Sequence, residues 1–188
     1  MFAGKSTRAR EKVTTLADIG LKVLYINHAD DLRDTEASDK NITTHHSGFF
    51  KISRKVSTIS TSSLKKLDVS AWDAIGVDEF QFYEKQEDVE AVIYWVEELN
   101  KTVYVSALDG DASRKTFGQT WKLIPMADKV VKMRAFCEHC KENCKKVKGP
   151  FTAKLVPDDK QKDVGGADKY IPLCRKCHRA HTEKFMKK

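Results

Sequence analysis

The chain has 188 residues, 40% of them hydrophobic and 32% charged, enough for one sizeable core and a small appended unit. It has no run near the roughly 18 consecutive apolar residues of a membrane span and no charged-then-apolar leader at its start, so a membrane-spanning helix is excluded and cytoplasmic residence is the expectation. The charge is uneven: residues 1–128 hold 17 Lys and Arg against 20 Asp and Glu (net −3), and residues 129–188 hold 17 against 7 (net +10). That basic C-terminal third reads as a solvated Lys-rich surface, or as a region that touches phosphates.

In chain order, residues 6–16 contain neither Pro nor Gly and read as a helix, with Gly20 supplying the left-handed residue that ends it. Residues 22–27 (KVLYIN), 74–77 (AIGV), 102–108 (TVYVSAL) and 130–135 are short β-rich apolar runs that read as strands. Residues 34–63 are poor in large apolar side chains, which suits loop and peripheral strands. Between the second and third strands, Val89, Val92, Ile93, Val96 and Leu99 recur at helical spacing, the mark of a crossover helix over 87–99. The alternation predicts an α/β fold with a mostly parallel sheet covered on both faces, its ligands at the carboxyl ends of the strands. Past Ala135 the composition turns to Cys, Lys, Gly and Pro. We therefore expect a core over 1–135 and a second unit over 136–188.

The opening Met1-Phe2-Ala3-Gly4-Lys5-Ser6-Thr7 is the back half of G-x-x-x-x-G-K-[ST], without its first Gly or the strand that feeds the loop. In that motif backbone N–H groups cradle phosphates, the Lys reaches the outer phosphate oxygens and the hydroxyl binds Mg²⁺; Lys5 and Ser6 would hold those roles. Such a loop needs an acidic residue closing a buried strand, and Asp78-Glu79 after AIGV supplies two. Asp78 is placed for metal and Glu79 for the reacting hydroxyl, whose proton a carboxylate can accept. Arg33, just past the strand over 22–27, adds positive charge for a phosphoryl group or forms a loop salt bridge.

All five cysteines fall within 41 residues, and Cys137-x-x-Cys140 with Cys174-x-x-Cys177 form two knuckles able to hold one tetrahedral Zn²⁺. The 33 residues between them must form an excursion closed at its base by a structural metal. Cys144, His139 and His178 are competing ligands, ranked behind the paired cysteines.

MFAGKST (1–7), VDEFQF (77–82), ALDG (107–110), RKTFG (114–118), the two knuckles and VGGADKY (164–170) stand in this order over nearly the whole chain. The chain thereby resembles the type II (cytosolic) thymidine kinases, and VGGADKY between zinc knuckles is the most specific of these motifs. The resemblance implies a phosphate-loop α/β core with a zinc-stabilised lasso that closes over thymidine. It also implies transfer of the ATP γ-phosphoryl group to the thymidine 5′-hydroxyl with Mg²⁺, in nucleotide salvage. Carried over, Glu79 is the base, Asp78 and Ser6 serve Mg²⁺, and Gly4, Lys5, Ser6, Thr7 and Arg33 contact ATP phosphates. Met1, Gln81, Phe82, Leu108, Phe117, Thr152 and Tyr170 fall at the nucleoside pocket, and backbone groups of Gln161 and Asp163 meet the base. A homo-tetramer and feedback inhibition by thymidine triphosphate are implied too, with no membrane and no specific nucleic acid as partner.

Four departures qualify the match. Phe80 replaces a small residue and Ala112 an aromatic, both expected to reshape nucleoside selectivity; residues 144–149 look like an insertion at the start of the lasso. The family also has a strand and a Gly-Pro before Met1. Two other readings are a nucleoside-binding remnant that does not turn over and a zinc-ribbon nucleic-acid binder.

Overall fold

The computed structural model describes residues 1–31, 55–142, 145–156, 160–163 and 165–186. Its centre is a four-stranded, wholly parallel sheet in the order β2 (Val56–Thr61), β1 (Val23–His28), β3 (Ala74–Val77), β4 (Thr102–Val105). Both β1 and β3 are buried along their whole length, as strands covered on both faces must be.

Alternation along β1 assigns its side chains to two cores. Val23 and Tyr25 join Ala9, Val13 and Ala17 of α1 (Lys5–Asp18), whereas Leu24 and Ile26 join Val89, Val92 and Trp95 of α2 (Gln86–Glu97) on the opposite face. Each Val, Leu or Ile among them, fully buried, contributes about 1.5–3 kcal/mol. Gly20, at φ +100°, ends α1 where the Leu21 N–H returns to the Leu16 carbonyl at 3.1 Å. Asp88 in the first turn of α2 accepts the Leu64 N–H at 2.7 Å, which ties that turn to the segment after β2.

Two expectations need correction. β4 ends at Val105 instead of running to Leu108: the Ser106 N–H makes the last bond to β3, to Val77 O at 2.8 Å, while the Ser106 carbonyl accepts the Phe80 N–H at 3.0 Å from the turn that follows β3. Residues 130–134 form no strand, since no described strand lies beside them, and Val130 and Val131 are half exposed. Only Ala135–Phe136 (β5) pairs, antiparallel, with Lys148–Gly149 (β6).

The C-terminal residues build a second small ribbon, β7 (Phe151–Lys154) against β8 (Tyr170–Leu173), followed by a 12-residue helix, Arg175–Met186. Among the described residues no helix is long and apolar enough to cross a membrane.

Candidate functional site

The site lies where β3 ends against the start of α1. Gly4 takes φ +77° ahead of the helix, a conformation open to Gly without Cβ strain, and Ser6 on the first turn donates its hydroxyl to Asp78 Oδ1 at 3.1 Å. Asp78 is buried, and its Oδ1 also accepts the Glu79 N–H at 3.0 Å while its Oδ2 accepts the Tyr25 phenol at 2.8 Å. Burial first, and the adjoining Glu79 second, push its carboxyl above the usual pKa range, with Arg10 pulling the other way.

Glu79 itself sits at φ +50°, a sparsely occupied region for a residue with a Cβ. That turn sends the following residues in different directions. Phe80 goes into the core beside Tyr83 and is not among the described residues that line the cleft. Gln81 is buried: its amide N–H donates to the Glu79 carboxylate and its Oε1 accepts the Leu108 N–H at 2.9 Å. Phe82 meets Phe117 edge to face at 6.0 Å.

These residues line a cleft of about 250 Å³. Met1, Lys5, Glu79, Gln81, Phe82, Leu108, Phe117, Thr152, Gln161, Asp163 and Tyr170 all border it, as does Ala112. The far wall belongs to the C-terminal segments. Thr152 Oγ1 accepts the Met1 amino group at 2.8 Å, Tyr170 donates its phenol to the Asp163 carbonyl at 2.7 Å, and the Gln161 side chain donates to Asp111 at 2.7 Å and to the Thr116 carbonyl at 3.0 Å. Gly4 and Thr7 border instead a shallow depression on the outer side of α1, with Arg8, Lys12 and Met133. Arg33 and Cys144 lie outside the described residues.

Behind the far wall, the Sγ atoms of Cys137, Cys140, Cys174 and Cys177 all lie within 4.8 Å of one another, with Cys140 3.9 Å from Cys174 and 3.6 Å from Cys177. Four thiolates about 2.3 Å from a tetrahedral zinc stand about 3.8 Å apart, so this donor set fits Zn²⁺. His178, weighed as a substitute ligand, is committed elsewhere. Its Nε2 lies 2.9 Å from the Ala112 carbonyl and 3.2 Å from that of Thr152, joining two walls of the cleft. His139 packs against His181 and is not in the cysteine cluster.

Sequence reasoning missed Asp111, Lys115, Lys154 and Lys160 on the cleft and Arg10 and Tyr25 beneath it. Asp111 and Lys115 fall inside or beside the quoted motifs. Arg10 was detectable as a charge within the apolar stripe Ala9, Val13, Ala17.

The sequence matches the model of a kinase family, described as thymidine kinase, over residues 1–178. It is 32% identical to the thymidine kinase of Rabbit fibroma virus (strain Kasza), covering 95% of this chain and 91% of that one. It is 30% identical to the cytosolic thymidine kinase of Gallus gallus, over 95% of this chain and 73% of that one, and 30% identical to the Mycoplasma mobile thymidine kinase, over 95% and 82%. The chain belongs to the thymidine kinase family.

Proposed function

We propose that the protein transfers the γ-phosphoryl group of ATP to the 5′-hydroxyl of thymidine, and of deoxyuridine by the same contacts, yielding the nucleoside monophosphate for nucleotide salvage. The observation that carries this reading is the placement of Ser6, Asp78 and Glu79. A helix N-terminal hydroxyl is bonded to one carboxylate at 3.1 Å, and the next carboxylate in the chain borders a nucleoside-sized cleft.

In this reading Glu79 accepts the 5′-hydroxyl proton as the new O–P bond forms and the bond to the ADP oxygen breaks. Gln81, whose amide bridges Glu79 and the Leu108 N–H, fixes the base's direction. Lys5 borders the cleft and, with Arg33, opposes the charge spread over the transferring group. Ser6 and Asp78 offer the oxygen donors that suit Mg²⁺, which when bound neutralises phosphate oxygens. Phe82, Leu108 and Phe117 on the core side and Thr152 and Tyr170 on the lasso side enclose the nucleoside, with Gln161 and Asp163 presenting backbone groups to the base. The functional division is thus a phosphate-loop core over 1–135 and a zinc-closed lasso over 136–188.

Purified protein given ATP, Mg²⁺ and thymidine should form thymidine monophosphate, resolved by chromatography. Tight thymidine binding with no product would reduce the protein to a nucleoside binder and overturn the assignment.

One latch holds the lasso on the core. Lys162 Nζ lies 2.7 Å from Asp30, 4.0 Å from Glu84 and 5.3 Å from the centre of the Phe82 ring. Exposed pairs and cation–π contacts are each worth up to about 1 kcal/mol, so Lys162→Ala should raise the thymidine KM about fivefold, with kcat within about twofold. A steady-state titration of thymidine at saturating ATP checks both numbers.

A further inference from the structure

Beneath the Ser6–Asp78 contact the fold buries a cation. Arg10, one helical turn after Ser6 on the same face of α1, is 2% exposed; its guanidinium lies 3.9 Å from Asp78 Oδ2 and 5.6 Å from the centre of the Tyr25 ring. Tyr25 stands beside Gly76 in the parallel register of β1 and β3, and a Cβ on Gly76 would come within 2.5 Å of the Tyr25 ring. The absent side chain at 76 is what lets the phenol pass over β3 and reach Asp78. Three elements, α1, β1 and β3, are shaped around one carboxylate.

A carboxylate offers about four acceptor sites, and Asp78 has four neighbours for them. Oδ1 takes the Ser6 hydroxyl and the Glu79 N–H; Oδ2 takes the Tyr25 phenol and faces Arg10. Arg10 offsets part of its charge, and an ion could bind it directly only where one of these partners gives way. The lone pairs of the Ser6 oxygen remain available. A hard dication held by one neutral hydroxyl and a compensated carboxylate lacks the anionic oxygens it needs until phosphates supply them.

We propose that Arg10 and Tyr25 are positioning residues that keep Asp78 charge-compensated and aimed at Ser6, so that the site takes up a divalent cation only together with nucleotide phosphates. This rests on reading Ser6 and Asp78 as the cation site. A merely structural Arg10–Asp78 pair would affect folding stability and leave nucleotide-free metal affinity untouched.

Mn²⁺ serves as the probe, with free ion counted by electron paramagnetic resonance in nucleotide-free protein and folding checked by circular dichroism. Arg10→Met leaves Asp78 as an uncompensated buried charge and should tighten nucleotide-free Mn²⁺ binding at least about tenfold. Tyr25→Phe keeps the ring over Gly76, removes only the hydroxyl, and should tighten it about threefold. Adding Asp78→Asn to either variant should abolish the gain. Affinities within twofold of the parent protein in the folded variants, or a gain that survives Asp78→Asn, would overturn the proposal. If Arg10→Met does not fold, Tyr25→Phe decides alone. Failure of the underlying reading has a separate signature: Asp78→Asn alone would retain full ATP-dependent Mn²⁺ binding and full thymidine monophosphate formation.

Discussion

Replacing Glu79 by Gln should lower kcat for thymidine phosphorylation by about 10² to 10⁴, the range a positioned general base contributes, while the thymidine KM changes little. The substitution preserves shape and removes only the ability to accept a proton. A backbone feature and a contact argue that the side chain stays in place. The backbone turn at φ +50° is set by chain geometry, and the Gln81 amide, clamped to the Leu108 N–H at 2.9 Å, still faces position 79. A fall in kcat and kcat/KM together marks an interaction made in the transition state alone; an unchanged kcat would remove Glu79 from the mechanism. Because Glu79 is buried beside Asp78 and its charge raises the Asp78 pKa, the neutral amide should lower that pKa. Glu79→Gln should therefore keep its fold, with a melting temperature no lower than that of the parent protein.

The two central strands were legible because they are short, apolar and fully buried, as KVLYIN and AIGV show, and the crossover helix announces itself by Val89, Val92 and Val96; β2 (VSTIST), mostly exposed, carries no such signal. Residues 130–135 misled for the same reason. VVKMRA has strand composition, but a strand exists only where a partner offers backbone groups, and the described partner, Lys148–Gly149, reaches only Ala135 and Phe136. Asp78 and Glu79 could be read as an acidic pair after a strand; that Phe80 would turn inward could not, since it depends on the left-handed turn at Glu79, a conformation that composition does not encode. Arg10 and Tyr25 were hidden more deeply. The apolar stripe around Arg10 marks it as unusual, but what it does is legible only once the carboxylate it faces, 68 positions along the chain, is brought beside it. The His178 contacts were invisible too, because the Ala112 and Thr152 carbonyls they join come from distant segments.

Removing the metal that the four cysteines fit should be felt at the nucleoside, not at the core. Cys137 caps and Cys140 lies within the single helical turn Glu138–Lys141 after β5, Cys174 and Cys177 open the last helix, and the 33 residues between the two pairs carry Thr152, Gln161, Asp163 and Tyr170. Among the described residues the apolar cluster there is small, three buried residues (Cys137, Ala153 and Leu173) with the other cysteines and Ile171 packed around them. That is too little burial to order so long an excursion unaided, and structural zinc contributes on the order of 10 kcal/mol in small modules of this kind. Zinc analysis should find about one ion per chain. Cys177→Ser, or exhaustive chelation, should release it, expose residues 137–186 to limited proteolysis and cut kcat/KM for thymidine by at least about 10². The parallel sheet should still melt cooperatively, because its two cores, on the α1 and α2 faces, contain none of the cysteines. Full activity in metal-free, reduced protein would show that the lasso wall is held by its own ribbon, β7 against β8, and by the His178 contacts alone.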